Sequence, residues 1–273
     1  MCKDMSPELD FKLWKPVGDE LIFKCRVTHE RQIYRAVRTW IAAMDYYEQN
    51  TLAKEGLGTK GGAFVATFPG PDSESTIPLN PDQETSDKGL LELNNAALSR
   101  RNLNQYMYDY FGPSIDTGFR ILGACSSRYF TLSTEVAWAM SQSSQATGLN
   151  NADFHCGDLV LVEARSLKGV WNGREYPIFA VDRHEEDMVN KALRVFSGPK
   201  LEAQHISDLC RECAASPGWP SALYLPDSGI DEFKQNPVDP LAGMIAESRD
   251  GAEVAPSSDP GTKNLSASPP VFD

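Results

Sequence analysis

The sequence predicts an α+β fold: one domain over residues 20–225, a single mixed sheet with packed helices, preceded by an arm (1–19) and followed by a disordered acidic tail (226–273). Three observations predict it. The apolar period switches from two over Leu21–Val27 to 3.6 over Glu30–Glu48, the signatures of a half-buried strand and an amphipathic helix. Short β-branched runs then recur between helical stretches. Beyond Pro226, Pro, Ser, Asp and Gly dominate with no sustained period, a composition that does not bury enough apolar surface to offset ordering. A chain of 273 residues can build its core without disulfides or metal.

In the arm, Phe11, Leu13 and Trp14 precede Pro16 and Gly18 and are expected to pack on the domain. Leu21–Val27 is a strand with Ile22, Lys24 and Arg26 on one face. Glu30–Glu48 is a helix with Ile33, Val37, Trp40, Ile41, Met44 and Tyr47 as its buried stripe and Thr28 as N-cap. Gly56 to Gly62 form a glycine-rich loop before a short strand, Ala63–Phe68, without the spacing of a phosphate-binding loop. Residues 69–89 hold four prolines and few bulky apolar side chains, so a mobile acidic insertion is expected there. Leu90–Phe111 reads as a helix stopped by Gly112-Pro113. Phe119–Gly123 and Tyr129–Leu132 read as strands. Thr134–Gln145 is a helix capped by Ser133, with Glu135 complementing its dipole. Asp158–Ala164 is apolar on both faces and reads as a central strand. Ile178–Val181 and Leu193–Phe196 are further strands flanking the Glu185-Glu186-Asp187 cluster. Leu201–Ala214 is a helix ended by Pro217-Gly218.

Charge follows the appendages. Of the net −12, residues 226–273 carry −6 and residues 69–89 carry −4. The remainder is nearly neutral and has no basic stripe, which argues against nucleic acid as a partner. No run of about eighteen apolar residues exists, so no membrane span is expected. The N-terminus has no apolar export segment, so an intracellular, cytoplasmic location with reduced thiols is expected for the six cysteines.

Candidate chemistry is sparse. Cys210 and Cys213 form one CxxC with His205 nearby and His155-Cys156 elsewhere. A zinc site needs two close ligand pairs, whereas positions i and i+3 within a helix suit packing, so no metal is assigned. No Gly-x-Ser-x-Gly elbow is present. The Glu185-Glu186-Asp187 run beside Arg183 and His184 reads as a solvated face. Two features remain. Arg26 is either a solvent-facing charge or an anion contact in a cleft, and Ser133-Thr134-Glu135, at a strand-to-helix junction, is either a ligand contact or a helix cap.

The order Phe23-Lys24-Cys25-Arg26-Val27, Leu132-Ser133-Thr134, Ala137-Trp138-Ala139, Leu159–Glu163 and Leu193–Pro199 resembles the mono-ADP-ribosyltransferase fold, in particular the divergent enterotoxin-like domains of filamentous fungi, over about residues 20–207. The resemblance implies that Arg26 holds the phosphates and ribose of NAD and that Ser133 and Thr134 shape a nicotinamide pocket. It also implies a glutamate at the start of the late strand, where this chain has Leu193. Without that anion a cationic transition state loses stabilisation, so an uncharacterised, catalytically degenerate, NAD-binding domain is implied. The alternative is a non-enzymatic interaction module that engages a protein partner through its acidic loop and tail. A domain supported by zinc on Cys210 and Cys213 is the third possibility.

Overall fold

A computed structural model describes residues 6–80, 88–145, 154–196 and 200–239. The fold is mixed α+β, with six helices over the described residues. In place of one mixed sheet there are three separate sheets. Two are antiparallel ribbons. In the first, β1 (Lys12–Val17) pairs with β2 (Glu20–Lys24), so the expected arm is half of a hairpin. The four-stranded sheet has the order β3-β6-β8-β7: β3 is Gly62–Ala63, β6 Tyr129–Leu132, β7 Leu159–Ser166 and β8 Glu175–Asp182. β3 runs parallel to β6, and β8 is antiparallel to both its neighbours.

The central strand differs from the expected one. β8 is buried at every position after Glu175, whereas β7 lies at the sheet edge with Leu161 exposed. A register shift between Leu161 and Glu163, and the Glu163–Arg165 ion pair, break the regular ladder of that edge, features that protect an unpaired strand from further pairing.

Helix α1 (Glu30–Tyr47) buries Ile33, Val37 and Met44 of the expected stripe, with Trp40 and Ile41 partly buried against the core; Tyr47 is exposed, and Tyr34, outside that stripe, is buried. Its cap is His29, not Thr28: the imidazole accepts from Arg31 N–H at 3.2 Å, while Gln32 reaches back to accept from Thr28 N–H at 2.7 Å. Such reciprocal bonding satisfies donors at a helix start. The second ribbon pairs β4 (Ser73–Pro78) with β5 (Tyr106–Phe111). Residues 69–80 are therefore structured, in contrast to the mobile loop expected over 69–89; residues 81–87 of that stretch lie outside the described residues. Asp72 anchors this ribbon, its buried carboxylate accepting from Thr67 N–H and Ser114 N–H at 3.0 Å each.

The helix expected over Leu90–Phe111 divides. α2 (Leu90–Arg100) ends at Arg101 in the left-handed region (φ 45°), a turn built on Asn102 follows, and the chain continues as β5. Tyr-Met-Tyr-Asp-Tyr-Phe is aromatic enough that pairing with β4 overrides its helical spacing. The strand expected at Phe119–Gly123 is the second half of α3 (Pro113–Leu122). Pro113 starts this helix instead of stopping the one before, because its missing N–H is no loss in a first turn.

After β6 comes α4 (Thr134–Gln145), whose residues 134–141 are all buried where it packs against α1, β8 and α6 (Ala203–Ala215). Leu193 lies in α5 (Met188–Arg194), so the expected late strand is absent here. Asp187 caps α5 by accepting from Val189 N–H and Asn190 N–H, which turns part of the acidic cluster into a helix start. The domain also extends past Pro226. Phe233 is fully buried, its ring edge-on to Trp138 with centroids 4.8 Å apart, and its carbonyl accepts from Leu225 N–H. Residues 240–273 of the expected tail lie outside the described residues. No helix among the described residues is long and apolar enough to cross a membrane.

Candidate functional site

Ser133 sits between β6 and α4 and acts as a helix cap. Its hydroxyl accepts from Val136 N–H at 3.5 Å and its carbonyl from Ala137 N–H at 3.0 Å. Thr134 is equally occupied: its hydroxyl donates to the Pro177 carbonyl at 3.3 Å and its N–H to the Tyr176 hydroxyl at 3.2 Å. Both are buried, at 3% and 1% exposure. Arg26 is exposed and follows the end of β2, whose ribbon does not join the sheet that leads into Ser133. No hydrogen bond, ion pair or ring contact joins Arg26 to Ser133 or Thr134 among the described residues.

The neighbouring Glu135 is the chemically unusual member of this stretch. It is buried, and the Trp219 indole N–H donates to its Oε1 at 2.9 Å. Burial pushes the carboxyl above its ordinary range, partly offset by bonds from its own backbone N–H, Ser133 and Trp219. Removing a carboxylate from water favours its neutral form. Trp219 roofs it: the indole stacks on Tyr176 with centroids 5.0 Å apart and planes 8° from parallel, and meets Trp171 edge-on at 4.9 Å. Burial, then the proximity of Glu135, raises the Tyr176 hydroxyl well above its usual value.

The sequence positions this roof through two turns. Gly218, at φ 78°, follows the end of α6, and a Cβ there would lie 2.7 Å from the Asn172 side-chain nitrogen. Between β7 and β8 the chain turns through Trp171, Asn172 and Gly173, at φ 47°, 53° and 81°. Left-handed backbone costs an L-residue roughly 1–2 kcal/mol, and a bulky Trp there is unusual. Packing of Trp171 on Trp219 helps to hold it.

On the far side of Trp171 opens a depression of about 410 Å³, lined by Trp171, Arg174, Leu209, Glu212, Cys213 and Ser216. The Arg174 guanidinium lies over the Trp171 ring, 4.5 Å from its centroid, and donates to the Ser216 hydroxyl at 2.5 Å. Among the described residues Arg174 makes no ion pair. Cys210 and Cys213 lie one turn apart on α6, both buried. Burial first, then Glu135, raises both thiols, Cys213 to about 11. Such a thiol is not a nucleophile at neutral pH. Among the described residues no group of three or more His, Cys, Asp or Glu is placed to hold a metal ion.

The sequence reading singled out Ser133, Thr134 and Glu135 but missed Trp171, Arg174, Tyr176 and Trp219. A signal was present for the turn, because Asn-Gly between two apolar runs marks a hairpin connection. Nothing local to Trp219 announces that it closes over Glu135. No protein-family model, curated protein or solved structure matches this chain.

Proposed function

We propose that this chain is a non-enzymatic binding module that receives a small ligand or a partner's side chain in the depression beside Trp171. The observation carrying this reading is the pairing of an aromatic wall, set by two non-glycine residues with left-handed backbone, with an arginine that has no acidic partner among the described residues. Backbone strain of this kind persists where surrounding structure over-determines it, and it concentrates at ligand sites. A volume of about 410 Å³ falls in the range of small-ligand pockets, roughly 300–1,000 Å³.

The groups around the depression favour recognition over reaction. Cys213 is held as a neutral thiol, and Glu135 is sealed beneath Trp219 with its hydrogen bonds made inward. Neither is poised as a nucleophile or general base for a molecule seated outside.

The test is a fragment screen by saturation-transfer NMR on the full chain and on Leu209→Arg, which adds bulk at the partly exposed edge of the depression. Fragments that bind the parent and are lost in Leu209→Arg, at unchanged melting temperature, are the expected result. Fragments that bind both proteins equally would place the site elsewhere and overturn the reading.

A further inference from the structure

We infer that the ligand group recognised at this site is a single carboxylate on an apolar body, held by Arg174; this rests on the binding role proposed for the depression. Arg174 is anchored on two sides, by the Trp171 face and by the Ser216 hydroxyl, which leaves further guanidinium N–H donors for an incoming group. A planar, oriented guanidinium matches a carboxylate through two parallel hydrogen bonds, and stacking reduces the side-chain freedom lost on binding.

The remaining wall decides what carries the carboxylate. Leu209 is 38% exposed and, with Ala215 and Cys213, gives the lining an apolar side against which a phenyl or branched aliphatic group would rest. Glu212, the acid in the lining, disfavours a second negative charge by like-charge repulsion. The chemistry selected is therefore a monoanion with an apolar body. A free organic acid and the C-terminus of a peptide ending in an apolar residue both present this group.

The experiment uses the full chain and four probes: 4-phenylbutyrate, its neutral amide, and N-acetyl-Ala-Phe with a free or an amidated carboxyl. Binding is followed by calorimetry in the parent protein and in Arg174→Ala, with melting temperatures confirming that both are folded. At least one acid is expected to bind about ten-fold or more tightly than its amide, and Arg174→Ala is expected to remove that preference. The acid with the larger preference identifies the source, free acid or peptide terminus. Equal binding of acid and amide would overturn the carboxylate assignment while leaving the binding role intact. Absence of binding by all four probes would also overturn the assignment, and the fragment screen then decides the binding role separately.

Discussion

Trp219 and Trp171 touch edge to face, yet the regions they front are opposites. Inward of Trp219, the polar groups of the strand-to-helix junction bond within the fold: Glu135 takes the indole N–H, Ser133 caps α4, and Thr134 bonds to Pro177 and Tyr176. Outward of Trp171, the backbone is left-handed, the indole N–H lacks an acceptor, and Arg174 has a hydroxyl and a ring but no acid among the described residues. Satisfied buried polar groups specify a fold. An exposed guanidinium at the edge of an open depression is instead available to something outside it. The stretch that looks most like a ligand site in sequence makes its hydrogen bonds within the fold, and the ligand site proposed here lies beside Trp171.

Removing the shared wall should have the largest effect. Trp219→Ala deletes the stacking partner of Tyr176 and leaves Glu135 without the indole donor, so a loss of about 3–5 kcal/mol in urea denaturation is expected. A loss under about 1 kcal/mol would show that the inner region does not depend on this roof.

Glu135→Gln sharpens the comparison through pH. The folded carboxyl is raised above its ordinary 4.5 by burial, so its contribution to stability is fully present below the unfolded value and is lost as pH rises through the folded one. Groups with lowered values, such as Asp182 beside Arg128, slope the other way and weaken the fold at acid pH. They are common to both proteins. The stability of Glu135→Gln relative to the parent should therefore increase as pH rises above the ordinary carboxyl value of 4.5, measured by denaturation at each pH. A constant difference would mean that Glu135 does not titrate differently on folding.

A smaller effect is expected at the turn. Asn172→Ala retains the left-handed φ of 53° without a side chain suited to it, and should cost about 1–2 kcal/mol in denaturation. Arg174→Ala should change stability least, within about 0.5 kcal/mol, because its side chain is exposed and its contacts are local.

Local grammar explains which parts were legible in sequence. The α1 stripe, the Ser133 cap and the start of α4 follow from spacing and capping within a few residues. Tyr106–Phe111 was misread because its apolar repeat suits a helix until β4 offers a partner, and Leu193 because a short amphipathic helix and a buried strand share an apolar run. Glu135 reads as an acid complementing the dipole at a helix start, since nothing nearby in sequence shows that Trp219 will cover it. Phe233 was lost in a segment whose composition is otherwise that of a tail, although one buried aromatic suffices to return the chain to the core.

The most direct test of the central claim is a titration of the full chain with 4-phenylbutyrate, followed through the tryptophan indole cross-peaks in 1H–15N NMR. Saturable displacement of the Trp171 resonance, with the Trp219 resonance moving less, is the predicted result. A Trp171 resonance that stays fixed while those of Trp14 or Trp40 move would contradict the account.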